Sequence, residues 1–255
     1  KSHEALPLGF ESDEKRSIER GIAIIEAYMT RYANDPYTTI KVPGSDKDFV
    51  EVGFAVHIFD WLNPQTQVVY PVVFVGKIDR IMRSQITGAL VNFETKTTSR
   101  SLSVFQQQVK PNHQNTGYFF GAKTLIAEPI ESTIVDGIFV SSRQPSKKCP
   151  TGVEIENDFG RFPTQRSPED IDEWLDDFRD TAAEFLMWKF VYGPTRTHWP
   201  RNAPTACQMF GGCRYRDACV VRADPTYMSK MFVRREWQPW PLREKLITVP
   251  GEGDI

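Results

Sequence analysis

Apolar residues recur at Ile18, Ile22, Ile25, Met29 and Tyr32, a spacing of three to four that predicts a helix over 12–33, with Ser12 as its cap and Asp13 and Glu14 in the first turn. Asn34-Asp35-Pro36 breaks it. Over 49–59 the period falls to two: Val50, Val52, Phe54, Val56 and Ile58 alternate with Glu51, Ala55 and His57, as in a half-buried strand. Three further β segments are predicted at 68–75, 76–82 and 89–95, with turn chemistry at Asn63-Pro64 and over 84–88. Pro111 and Asn112 open a predicted helix through His113, Tyr118, Phe119, Ala122 and Leu125, and 133–140 reads as another strand. A long irregular stretch, 141–167, leads to Ser167-Pro168-Glu169-Asp170, a strong helix start. Ile171, Trp174, Leu175, Phe178, Ala182, Phe185 and Leu186 then trace one stripe to about position 190. Helix, meander of strands, helix, strand, helix implies a mixed sheet covered by helices, an α/β (α+β) core.

The 255 residues, 40% hydrophobic, are enough to bury a sizeable core. No stretch approaches the roughly 18 consecutive apolar residues of a membrane span, which excludes a helical membrane protein. Residues 1–9 carry no apolar signal region, so a cytoplasmic setting is expected. The net charge of −2 hides a polarity: 1–192 carry 21 basic and 27 acidic side chains (21 − 27 = −6), whereas 193–245 carry 10 and 4 (10 − 4 = +6). In that second segment Arg196, Arg201, Arg214, Arg216, Arg222, Lys230, Arg234 and Arg235 alternate with Trp199, Tyr215, Tyr227, Trp237 and Trp240. The mixture suits phosphate contact with base stacking, and equally a solvated region whose aromatics pack on a main domain. The expected organisation is a core over 1–192, a basic module over 193–245 and a tail over 246–255.

The chemistry concentrates in Gly76-Lys77-Ile78-Asp79-Arg80 and Asn92-Phe93-Glu94-Thr95-Lys96. If the two segments pair as a hairpin, the midpoint between Asp79 and Glu94, at 86.5, falls inside the predicted turn over 84–88, so the carboxylates become cross-strand neighbours. Alternation places Glu94 and Lys96 on one face and Phe93 and Thr95 on the other. Adjacent carboxylates repel unless a cation lies between them, and such hard oxygen ligands suit Mg2+ or Mn2+. Taken one at a time, these residues are ordinary surface salt-bridge patterning.

Their combination resembles a known family. Gly76-x-x-Asp79, Glu94-x-Lys96 and Gln114-x-x-x-Tyr118, followed by Phe162-Pro163, Arg166-Ser167-Pro168 and Cys207-x5-Cys213-x5-Cys219, are similar in order and placement to the PD-(D/E)XK nuclease superfamily, in its RecB-like exonuclease branch and closest to phage-type members. The resemblance implies a restriction-endonuclease-like fold, a mixed central β-sheet flanked by helices, with a small C-terminal cysteine-containing basic module. It implies that Asp79, Glu94 and the backbone carbonyl of Thr95 bind catalytic Mg2+ or Mn2+, that Lys96 positions the attacking water or offsets transition-state charge, and that Gln114 and Tyr118 contact the nucleic-acid strand. Many members carry a histidine ligand on the first helix, about four residues after a glycine. Here Gly21 is followed by Ile25, so Glu19, Glu26, Glu51 or water would have to substitute.

Three of the four cysteines, Cys207, Cys213 and Cys219, lie within thirteen residues, a density that suggests ligation more than stapling. By resemblance they match the C-terminal three of four thiolates that bind a 4Fe-4S cluster in several members. An iron-sulfur cubane takes four thiolates, and Cys149 is the remaining candidate; a zinc site or no metal at all are the alternatives. The function implied is a metal-dependent DNA nuclease, an exonuclease acting on single strands or ends in recombination, repair or phage DNA processing. Recombination or replication proteins would be its partners, in a bacterial or phage-infected cell. The alternatives are a catalytically degraded nucleic-acid-binding scaffold of the same fold, and an RNA-directed or CRISPR-adaptation nuclease that differs only in its partners.

Overall fold

Ser17 opens the first helix: its hydroxyl accepts the Arg20 N–H at 3.1 Å, and α1 runs over Ile18–Arg31. The structure, a computed structural model, describes residues 17–195, 205–208, 212–220, 225–233 and 247–248. Ser12, Asp13, Glu14, Arg196, Trp199, Arg201, Arg222, Arg234, Arg235, Trp237 and Trp240 lie outside the described residues. The strands are β1 (Tyr37–Thr39), β2 (Val50–Leu62), β3 (Val69–Ser84), β4 (Leu90–Thr98), β5 (Ile130–Phe139), β6 (Phe159–Thr164) and β7 (Ile247–Thr248). The helices beyond α1 are α2 (Leu102–Gln106), α3 (His113–Leu125), α4 (Pro168–Met187), α5 (Thr205–Gln208), α6 (Arg216–Val220) and α7 (Pro225–Met231).

The sheet has the order β6-β5-β4-β3-β2-β7, with β1 pairing β3. β4–β5 and β2–β7 are parallel and the other recorded pairs antiparallel. The mixed α/β sheet expected from the pattern is therefore present, and it has the restriction-endonuclease-like character of a mostly antiparallel sheet flanked by helices. Two compact units divide the chain, one formed by 1–58, 73–178 and 245–255, the other by 59–72 and 179–244.

In the first unit Phe49, Val52, Phe54, Val56, Ile78, Ile81 and Leu90 pack with Phe119, Ala122 and Leu125 of α3. Close approach of α3 requires glycine: a Cβ at Gly121 would lie 2.5 Å from the Phe54 ring, and one at Gly117 2.8 Å from Phe74 and Trp174. Helix α4 begins as its sequence predicts, with a reciprocal cap in which the Asp170 N–H donates to Ser167 Oγ at 3.2 Å and the Ser167 N–H to Asp170 Oδ2 at 2.8 Å. Behind it, buried Arg166 donates to Thr116 Oγ1 and to the Val109 carbonyl, tying the β6–α4 junction to the start of α3.

Helix α1 packs differently from the periodic stripe. Ile18, Ile22, Ile25 and Met29 are exposed, whereas Ala23, Ile24, Ala27, Tyr28 and Tyr32 meet Val153, Phe159 and Ile138. Polar anchors set this rotation. Tyr28 donates its hydroxyl to fully buried Asp136, and Arg20 donates to the carbonyls of Ser141 and Thr151 at 2.8 and 2.9 Å. The irregular stretch contains β6, which apolar alternation misses because Gly160, Arg161 and Pro163 interrupt it. The segments predicted at 68–75 and 76–82 are one continuous strand, β3.

In the second unit, Trp61, Tyr70 and Phe190 stack, with Tyr70 and Phe190 at 4.4 Å between centroids. Tyr215 packs on Phe232, and Arg214, Arg216 and Lys230 are exposed.

Candidate active site

Strand pairing assembles the site. In the β3–β4 ladder Arg80 stands opposite Phe93, Ile81 opposite Asn92, Met82 opposite Val91 and Arg83 opposite Leu90. Each pair is centred on 86.5, the axis that the Asp79–Glu94 spacing predicts. The recorded ladder stops at Arg80–Phe93. One step beyond, the Asp79 carboxylate occupies the role of a backbone acceptor: Oδ2 accepts the Thr95 N–H at 2.9 Å. That bond uses one carboxylate oxygen and fixes the peptide joining Glu94 to Thr95.

Alternation on β4 also follows the pattern. Phe93 meets Tyr37 and the guanidinium groups of Arg80 and Arg161, and Thr95 meets Arg80, while Glu94 and Lys96 lie on the other face as an ion pair of 2.5 Å. Glu94 is only 1% exposed. Its Oε1 is paired with Lys96, and its Oε2 is buried with no hydrogen-bond partner among the described residues. Burial pushes the Glu94 carboxyl above its ordinary value; Lys96 opposes that shift, and the nearby charges of Asp79 and Glu51 add to it.

Glu51 has φ +55°, rare for a residue with a side chain, at the start of β2, and its carboxylate pairs with Lys77. The Lys77 ammonium is held above its ordinary value by this hydrogen bond, with the charges of Glu51 and Asp79 adding to it. Lys77 is thus a member of the site that spacing alone does not single out; its position two before Asp79 is the one available signal. Arg80 and Asp136 are also missed. Nothing local in the sequence marks Asp136 as fully buried beside Thr95 in the β4–β5 ladder.

Gln114 and Tyr118 share the first turns of α3, where Asn112 caps the helix by accepting the Asn115 N–H at 3.0 Å. The Gln114 side-chain amide donates to Tyr118 Oη at 3.2 Å, and the Tyr118 ring stands edge-on to Phe54. A Cβ at Gly76 would lie 3.1 Å from the Tyr118 ring and 2.4 Å from that of Phe54, which ties this end of α3 closely to β3 three residues before Asp79. On α1, Glu19 and Glu26 are exposed, as is Ile25 at the position of the family's histidine. The helix docks through Tyr28 against the face that carries Asp136, opposite to Glu94. Of the three carboxylates considered as substitute ligands, Glu51 is the one whose charge Glu94 feels.

Among the described residues, no three His, Cys, Asp or Glu side chains converge as a ready-made metal cage. At the site, Glu94 folds onto Lys96 and Glu51 onto Lys77, so ammonium groups balance the carboxylates. The donor set nevertheless fits a hard divalent cation: two carboxylates from adjacent strands, one with a buried oxygen that has no partner among the described residues. Among the described residues the thiols form no group of three ligands; Cys213 donates its N–H to the Cys207 carbonyl at 3.1 Å, and Cys149 donates its thiol to the Val153 carbonyl. No helix among the described residues is long and apolar enough to cross a membrane.

Among curated proteins none matches the chain. The family model of the PD-(D/E)XK nuclease superfamily matches residues 7–220, a span that includes both site strands, α3 and the three C-terminal cysteines. With its sheet and its D…E-x-K strand pair in this arrangement, the chain belongs to the PD-(D/E)XK nuclease superfamily.

Proposed function

We propose that this protein is a Mg2+- or Mn2+-dependent deoxyribonuclease, an exonuclease of the RecB-like type that hydrolyses phosphodiester bonds in single-stranded DNA or at DNA ends. The observation that carries the reading is Glu94: a nearly fully buried carboxylate with one oxygen on Lys96 and the other without a partner among the described residues, next to an Asp79 oriented by the Thr95 N–H.

Asp79, Glu94 and the Thr95 carbonyl are the residues that would hold the cation. Bound there, the cation would polarise a phosphoryl oxygen and lower the pKa of a water. The chain's own residues do the rest. Asp79 is held at a fixed rotamer by the Thr95 N–H, which limits the reorganisation needed for ligation. Lys96, bridged to Glu94, places a positive charge next to the carboxylate and offsets charge that develops on the phosphorus oxygens as the water oxygen attacks and the P–O bond to the leaving sugar oxygen breaks. Gln114 and Tyr118 at the start of α3 contact the strand, and the basic residues beyond 193 supply phosphate contacts.

The second reading, a catalytically degraded scaffold, rests on Ile25, which is exposed where the family's histidine would stand. Retention of Asp79, Glu94 and Lys96 together favours activity. End-labelled single- and double-stranded DNA, incubated with the protein in Mg2+, Mn2+ or chelator, separates the two: metal-dependent shortening supports the nuclease, and binding without cleavage supports the scaffold.

A further inference from the structure

We propose that Arg80, acting through the Thr95 hydroxyl, is a positioning residue that fixes the metal-binding peptide of the site from behind; the inference rests on the nuclease reading above. The ladder between β3 and β4 ends at Arg80–Phe93, so Thr95 is held on its β3 side by side chains. Two successive residues of β3 do this from opposite faces. The Asp79 carboxylate accepts the Thr95 N–H at 2.9 Å, and Arg80 Nη2 donates to Thr95 Oγ1 at 2.9 Å. A threonine in a strand has few χ1 choices. A bond to its Oγ1 therefore fixes the backbone that carries both the N–H held by Asp79 and the carbonyl assigned to the cation.

Arg80 is itself restrained. Its guanidinium lies 5.2 Å from the Phe93 ring centroid, and Nη2 is 3.9 Å from Oδ2 of fully buried Asp136. Asp136 also accepts the Tyr28 hydroxyl, with Arg161 Nε 3.6 Å from its Oδ1. Arg161 in turn grips Asp35 with both terminal nitrogens, at 2.7 and 2.6 Å, and stacks 3.8 Å from the Tyr32 ring. A fully buried carboxylate keeps its cationic partners because losing one leaves an uncompensated charge. The rear face is thus a chain of polar contacts running from α1 and β6 through Asp136 to Arg80 and Thr95, the outer support that orients ligands in metal sites.

The test is a Mn2+ titration of the metal-free protein by calorimetry, beside the Mn2+ dependence of cleavage, for wild type, Thr95→Val, Thr95→Ser and Arg80→Lys. Valine keeps the shape and removes the acceptor; serine restores it; lysine keeps a charge near Asp136 and loses the planar guanidinium whose Nη2 faces both Asp136 and Thr95. The expected result is a Mn2+ Kd raised about 10–100-fold in Thr95→Val and Arg80→Lys, the range for loss of a supporting group behind a metal ligand. Half-maximal cleavage should move to correspondingly higher Mn2+, the metal-free melting temperature of Thr95→Val should be unchanged, and Thr95→Ser should keep a Mn2+ Kd close to that of wild type. Wild-type Mn2+ affinity in Thr95→Val, or equal loss in Thr95→Ser, would overturn the inference and leave the nuclease reading standing. A wild-type protein that takes up no Mn2+ would overturn both.

Discussion

Asp79 and Glu94 occupy the first positions beyond the recorded β3–β4 ladder, one step past the Arg80–Phe93 pair, and Asp79 reaches across to the peptide N–H of Thr95, next to Glu94. Two carboxylates held together where the ladder stops give each other an electrostatic cost that Lys96 offsets on one side.

The cost makes a stability prediction. Burial raises the Glu94 pKa, so the folded protein resists ionising this group. Its contribution to stability is intact below the ordinary carboxylate pKa and is lost as pH rises through the elevated folded value. Glu94→Gln removes the charge that burial penalises. The variant should be inactive yet more stable than wild type near neutral pH, by about 1–3 kcal/mol, the scale of one buried polar group left without a partner. The gain should shrink as pH falls toward 4, and Mn2+ should raise the melting temperature of wild type but not of the variant. Thermal melts at several pH values, with and without Mn2+, check this.

Tyr28→Phe should destabilise the protein by about 1–3 kcal/mol, because Asp136 Oδ2 loses its phenol donor while remaining fully buried. Chemical denaturation measures it. If α1 were held by apolar packing alone, the substitution would be close to neutral.

Lys96→Ala should lower cleavage about 100-fold or more, the effect of removing one preorganised electrostatic group. Because its partner Glu94 is buried, the variant should also lose stability as pH rises above the carboxylate range, and single-turnover rates with parallel melts would separate the two effects.

The exposed Arg214 and Arg216 test where DNA affinity resides. If each contacts a phosphate, Arg214→Ala or Arg216→Ala should reduce the slope of log affinity against log salt by about 0.7 on a single strand. Titrations with a non-cleaving variant at several salt concentrations would show it, and unchanged slopes in both would move the DNA path elsewhere.

What the sequence made legible was the local geometry of the site strands. Period-two alternation and a turn over 84–88 were sufficient to place Asp79 beside Glu94 and to separate Glu94 and Lys96 from Phe93 and Thr95, because a hairpin's register is a local property. The rear face was not legible. Asp136, Arg161 and Tyr28 come from β5, β6 and α1, more than a hundred residues apart at the extremes, and only the parallel β4–β5 pairing brings Asp136 next to Thr95. The orientation of α1 was hidden for the same reason: its periodic stripe Ile18-Ile22-Ile25-Met29 is exposed because Tyr28 and Arg20 find buried polar partners that periodicity cannot weigh. The thiols at 207, 213 and 219 have cluster-like spacing, and among the described residues no three ligating side chains come together.

The most direct test of the central claim is cleavage of end-labelled DNA by wild type, Asp79→Asn and Glu94→Gln in Mg2+, Mn2+ and chelator, with circular dichroism confirming that all three are folded. Wild type should shorten the DNA only with metal, and both variants should be inactive in every condition, because removing either carboxylate weakens the cation site and misplaces the water. Cleavage by wild type in chelator, or a near-normal rate from either folded variant, would contradict the assignment of these two carboxylates as the catalytic metal site.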